Sequence, residues 1–282
     1  MKKIIVNADD FGLHPLINEG IIKGYTEGFI TSTSLMPSAP YWREAVELAK
    51  AQPALGIGIH LTLVGGVEPV LPAASVRSLL DADGKFLSDY AAFAKRYYTG
   101  GVKKSELEAE LRAQIERALA SGINITHLDS HQHTHVLPGI NTLVLTLCNE
   151  YNIIRVRIPK EDYTFTGGFK TGIGRVIGRS ALSFCASMAG WRADKLGIRH
   201  PQHFFGMLAG GHLNVQLVAN ILRCLPEGVS ELMTHPGLDS AALGRAFSWQ
   251  YHWRDELDAY LAESNKQLLR ELAIEPVNFS CL

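Results

Sequence analysis

KIIVNADDFGLHPLINEGIIKGYTEGFITSTSLM, residues 3–36, settles the fold class. Its first six residues, Lys3–Ala8, are rich in β-branched side chains and read as a strand, and Ile30–Met36 reads as another. Between them, over residues 16–27, apolar side chains recur at three- and four-residue spacing, the period of a helix. A strand, a helix and a strand in succession are the unit of a parallel sheet covered by helices.

The same alternation continues along the chain. Further strands are expected at Leu55–Leu63, Ile123–Asp129, Ile153–Ile158, Ser230–Thr234 and Val277–Ser280, and helices at about 41–51, 138–151, 214–224 and 253–272. The best-marked helix follows Ser105: Ser105 and Glu108 have capping-box spacing, Leu107, Leu111, Ile115 and Leu119 share a face, and Gly122 stops it. Seven strands is close to a barrel's count, so the class is α/β, a distorted TIM-type (β/α) barrel in a single domain over residues 1–282. Two stretches break the pattern, about 64–100 and 160–205, and are expected as insertions on the barrel rim.

Composition narrows the partners. Of the 282 residues 46% are hydrophobic, enough for an extensive core, and a net charge of -1 gives no reason to expect nucleic acid, whose phosphates call for a basic face. The apolar run at the N-terminus breaks at once into two carboxylates, unlike a signal peptide or an anchor, so a cytoplasmic protein is expected. Cys148, Cys185, Cys224 and Cys281 are scattered and fit unpaired thiols. Between Lys170 and Arg199 six basic residues accompany one acid, Asp194, among Ile173, Val176, Ile177, Leu182, Phe184 and Met188. Two readings are open: a basic amphipathic face that makes peripheral contact with a membrane, and a lid or dimer-contact helix with solvated cations. A homodimer is the default assembly.

Three motifs carry the chemistry. In Asn7-Ala8-Asp9-Asp10-Phe11-Gly12 adjacent carboxylates close a strand at the end of the sheet where α/β sites are built. In His127-Leu128-Asp129-Ser130-His131-Gln132-His133-Thr134-His135 four histidines and an aspartate crowd nine residues, and in extended backbone the odd-numbered ones would share a face and point into one cavity. In Gly58-Ile59-His60-Leu61 a histidine interrupts an apolar strand. Together Asp10, His60 and His131 offer one carboxylate and two imidazoles, a facial set for a divalent metal with positions left for water and substrate. His235, in Met233-Thr234-His235-Pro236-Gly237, ends another strand within reach of a general-acid role, and Arg157 is a charge partner for a carboxylate or a substrate.

NADDFG, GIHLTL, THLDSHQHTH, RVRIP and MTHPG, in this order over nearly the whole chain, resemble the YdjC-like carbohydrate deacetylases, whose branches include chitooligosaccharide and hopanoid-associated deacetylases. The resemblance implies a barrel-like fold and one divalent ion, magnesium or zinc, on Asp10, His60 and His131. It further implies Asp9 as general base and His235 as the residue that protonates the leaving amine. Asp129, His133 and His135 would orient and tune the ligands. The substrate implied is an N-acetylated amino sugar, a chito-oligosaccharide or a lipid-linked N-acetylglucosamine. Two rival readings are a metal-dependent phosphoesterase and a non-catalytic sugar- or lipid-binding protein on the same fold. No Gly-x-Ser-x-Gly elbow is present, which argues against a serine nucleophile.

Overall fold

The computed structural model describes residues 1–282. Its strands are β1 (Lys2–Phe11), β2 (Ser32–Leu35), β3 (Gly56–Leu61), β4 (Ile125–Ser130), β5 (His203–Phe205), β6 (Gly228–Thr234) and β7 (Glu275–Pro276). They form one parallel sheet in the order β4-β3-β2-β1-β6-β5, with β7 also on β1. The helices are α1 (Pro15–Thr26), α2 (Trp42–Lys50), α3 (Tyr90–Tyr98), α4 (Lys104–Ala120), α5 (Ile140–Glu150), α6 (Ile173–Lys195), α7 (Val215–Cys224), α8 (Ser240–Ala246), α9 (Trp253–Leu261) and α10 (Glu263–Glu271). The centre of β1 is almost wholly buried, as expected for a strand paired on both sides beneath helices.

The expected strand at 153–158 is not a ladder. The segment instead bridges the two ends of the sheet through single pairings: Val156 with Leu128, Arg155 with Arg199, and Glu161 with Phe204. Backbone bonds run from Arg157 N to Leu128 O and from Val156 N to Arg199 O, so an irregular stretch spans the gap between β4 and β5 and makes the barrel a distorted one. Spacing alone cannot tell a regular strand from such a bridge, because both are extended and apolar.

Other boundaries also move. The 160–205 stretch contains α6 and β5, and the 64–100 stretch contains α3, so neither is a bare rim loop. Val277–Ser280 lies beyond β7, where the chain turns into a 3-10 turn at Phe279–Cys281. The helix expected over 253–272 is broken at Ala262 into α9 and α10. Helix α4 starts two residues early, with Lys103 at its cap and no side-chain cap bond, so the Ser105–Glu108 box is not made. Glu108 binds Arg112 instead.

Candidate metal centre

The C-terminal ends of β1, β3 and β4 bring the three predicted ligands together. Donor atoms of Asp10, His60 and His131 all lie within 4.8 Å of one another. Adjacent residues of a strand normally face opposite ways, yet Asp9 and Asp10 both contribute to this corner. The reason is local: the pairing of β1 with β2 shifts register between Ala8 and Phe11, and Asp10 has a φ of 68°. Such backbone in a residue with a Cβ costs energy and persists where its surroundings hold it in place.

Each ligand has one side-chain atom committed and one left over. His60 Nδ1 bonds Asp129 Oδ1 at 2.8 Å, and His131 Nδ1 bonds Asp10 Oδ1 at 2.9 Å. The opposite atoms, His60 Nε2, His131 Nε2 and Asp10 Oδ2, are buried and have no hydrogen-bond partner. Three orphaned polar atoms in one place are costly unless a guest takes them. Two imidazole nitrogens and a carboxylate oxygen are the donor chemistry of a divalent metal ion, so the residues fit one. Gly65 keeps the place open: its φ is +102°, and a Cβ there would sit 2.9 Å from His131 Nε2.

A second set, Asp9, His60 and Asp129, meets the same distance criterion. Its carboxylates are already paired with a cation. Arg157, fully buried, donates to both oxygens of Asp9 at 2.7 Å, to Asp129 Oδ2 at 2.8 Å and to Glu231 Oε1 at 2.7 Å. Asn7 and Ser34 complete this network through Asp9 Oδ1 and Asp129 Oδ2. Asp9 Oδ2 remains 3.9 Å from His60 Nε2, beside the ligand corner.

Charge explains the protonation pattern. Burial alone would raise Asp10, but His131 and His60 hold its carboxyl well below the usual range. Burial opposes charging of His60, yet Asp129 and Asp9 push it up to about 10, so in the metal-free protein a proton compensates the surplus of carboxylates. Burial pushes Glu231 up to about 7 against the pull of Arg157. A dication would take over the role of that proton on His60, with proton release on binding.

The histidine run does not line one cavity. The chain leaves extended geometry after Ser130, with positive φ at Gln132 and His133. His127 lies flat on Phe279 with ring centroids 3.6 Å apart, and burial holds it at about 3, a neutral core residue. His135 is spent on Ser130 Oγ and Arg157 O and is held at about 4 by burial. His133 packs edge-on against Phe204, and its Nδ1 has no partner. Of the four histidines only His131 joins the donor set, and Asp129 meets His60 through its Nδ1.

His235 stands across the corner, close enough to Asp10 to help hold that carboxyl low. Its ring centroid is 5.0 Å from that of Tyr251, and Glu256 Oε2 accepts from its backbone N–H and lies 4.0 Å from its Nδ1. Sequence reasoning missed Glu256, Glu231 and the aromatic cover of the site. The only signal for Glu231 was a lone acid within an apolar strand. Trp249 packs 5.5 Å from His131, stacked on Phe247, and Tyr251 sits on Gly211, where a side chain would have no room. Residues 248–251 form no backbone hydrogen bond with the rest of the chain. A cavity of about 1020 Å³ beside β5 and α7 includes none of the three ligands, so the chemistry is located by its donors and not by volume.

Comparisons with known proteins cover nearly the whole chain. Residues 3–271 match the family described as YdjC-like protein. A carbohydrate deacetylase of Brevibacillus brevis is 34% identical over 279 residues, covering 99% of this chain and 98% of its own. A carbohydrate deacetylase of Vibrio cholerae is 36% identical over 282 residues, covering 99% and 96%. A crystal structure from Enterococcus faecalis V583, provisionally described as a cellobiose-phosphate cleavage protein, superposes with a TM-score of 0.77 at 27% identity over 99% of this chain and 98% of that one.

Proposed function

This chain belongs to the YdjC-like family, and from that premise we propose that it is a metal-dependent carbohydrate deacetylase that hydrolyses the N-acetyl group of an amino sugar to acetate and a free amine. The observation that carries the reading is the set of three buried, unpartnered donor atoms on Asp10, His60 and His131 at the end of a parallel barrel. Asp10, His60 and His131 would hold a divalent ion, whose chemistry there would be Lewis acidity toward the acetyl carbonyl and the attacking water. Two imidazoles and one carboxylate suit zinc and its transition-metal neighbours better than magnesium.

The chain's own groups supply the proton transfers. Asp9 takes the proton of the attacking water; Arg157, bonded to both its oxygens, fixes the carboxylate's direction and leaves Oδ2 facing the ligand corner. His235 gives a proton to the amide nitrogen as the bond to the acetyl carbon breaks, so the sugar leaves as a neutral amine. Glu256 positions His235 by accepting from its backbone N–H. Trp249 and Tyr251 offer aromatic faces to the sugar and exclude water from the reacting centre.

The test is acetate release from N-acetylglucosamine oligomers and from lipid-linked N-acetylglucosamine, using metal-stripped protein, protein with zinc or magnesium restored, and Asp9→Asn. Release that requires metal and falls by about 10²–10⁴-fold in Asp9→Asn is expected, in keeping with loss of a general base. Cleavage of a phosphate ester with no acetate from either glycan overturns the reading in favour of a phosphoesterase.

A further inference from the structure

Helix α6 carries more exposed apolar surface than its place in the fold requires. Its inward face is small and buried, through Ser183, Ala186, Ala189, Gly190 and Ala193. Its outward face presents Ile173 at 80% exposure, Ile177 at 62%, Phe184 at 61% and Trp191 at 59%. Ile177, Ala181, Phe184, Met188 and Trp191 follow one another at alternating four- and three-residue steps, so they form one continuous stripe. At 23 residues the helix is about 34 Å long, so the stripe is a contiguous patch and not scattered surface Leu or Ile.

The charges around the stripe identify what covers it. Lys170 lies at one end, Arg192 and Lys195 at the other, with Asp194 the single acid between Lys170 and Arg199. Lys195 Nζ sits 3.6 Å from the centroid of the Trp191 ring. Arg175 and Arg179 are excluded from this count, because Arg175 donates to Gly210 O and the buried Arg179 donates to the carbonyls of Asp162, Tyr163 and Phe165. A second copy is a poor partner: two α6 helices packed parallel or antiparallel set cations against cations at both ends. An anionic lipid surface satisfies both features, with apolar side chains entering the acyl boundary and cations at the headgroups.

We propose that α6 is a peripheral membrane-binding helix that lies in the plane of an anionic bilayer through Ile173, Ile177, Phe184 and Trp191. No helix of the protein is long and apolar enough to cross a membrane, so the contact is interfacial. Arg175 donates to Gly210 O, just beyond the C-terminal end of β5, so the start of α6 lies on the same side of the barrel as the metal corner. The bound protein therefore holds that side near lipid-attached glycans. This last step rests on the deacetylase reading, whereas binding to lipid does not.

The experiment is vesicle flotation of the full chain at low and high salt. Phosphatidylcholine vesicles are compared with vesicles that also contain phosphatidylglycerol, and sedimentation velocity is run in parallel. The wild type is expected to float with the anionic vesicles at low salt and to lose about tenfold in bound fraction at high salt or on neutral vesicles. Phe184→Ser/Trp191→Ser is expected to lose a similar factor with an unchanged circular dichroism spectrum. If that variant fails to fold, Lys170→Glu/Lys195→Glu, at exposed positions, is expected to cause the same loss. No flotation of the wild type, flotation indifferent to these substitutions, or a dimer in solution that Phe184→Ser/Trp191→Ser dissolves each overturns the proposal. Acetate release from soluble oligomers is followed separately, so failure of membrane binding is distinguishable from failure of the deacetylase reading.

Discussion

Two corners of the barrel end are built from the same residue types and behave oppositely. At the Arg157 corner, the buried guanidinium bonds Asp9, Asp129 and Glu231 at 2.7–2.8 Å, so that each carboxylate has a cation and only Glu231 Oε2 and Asn7 Oδ1 lack a partner. At the ligand corner a few ångströms away, Asp10, His60 and His131 pair with neighbours on one side only and leave three buried atoms unpartnered. The contrast separates scaffold from reception site: a network whose carboxylates share a buried cation rigidifies, while a corner that gathers unpartnered metal-donor atoms is shaped to take a guest. His60 links the two, with Nδ1 bound to Asp129 and Nε2 free.

The largest effect should come from breaking the satisfied corner. Arg157→Met leaves Asp9, Asp129 and Glu231 buried without their cation, and urea unfolding of the metal-free protein should register a loss of about 3–5 kcal/mol. A loss below about 1 kcal/mol would mean the carboxylates find water or protons and that Arg157 is not the scaffold described.

The unsatisfied corner should respond to its guest. Zinc at about 100 times its Kd should stabilise the wild type by about 2.7 kcal/mol, read as a rise in Tm, and His131→Ala should lose most of that gain. Equal stabilisation of the two proteins would place the ion elsewhere.

A smaller, sharper test uses His127, the member of the histidine run that lies in the core. Its folded value of about 3 lies below the 6.5 of an unfolded histidine, so between those values the unfolded chain binds the extra proton. That contribution to stability is present above pH 6.5 and is lost as pH falls toward 3. Between pH 7.5 and pH 4.5 the wild type should therefore lose on the order of 2 kcal/mol more than His127→Phe. Parallel pH profiles for the two proteins would show that His127 is charged in the fold.

Much of this was legible in the chain. The β-α-β reading of residues 3–36 held, as did the strands that carry His60 and precede His235, because burial against helices imposes a pattern that survives in sequence, although β1 runs past the expected end at Ala8 to Phe11 and takes in Asp10. What failed has common physical causes. The bridge at 155–161, the break at Ala262 and the unused Ser105–Glu108 box turn on which partner a backbone or side-chain group meets, and local spacing does not record partners. The nine-residue histidine run was read as one extended face, but positive φ at Gln132 and His133 scattered it.

The residue types at the strand ends, and hence a metal-capable set of one aspartate and two histidines, were determined by the sequence by itself. Only the tertiary structure decided which atoms of those residues are spoken for. Asp9 and Asp10 are identical in kind and adjacent in the chain, yet one is held by Arg157 from 148 positions away and the other keeps an oxygen free. The physical reason is that a hydrogen bond is a property of a pair, and partners so far apart along the chain meet only once the barrel has closed.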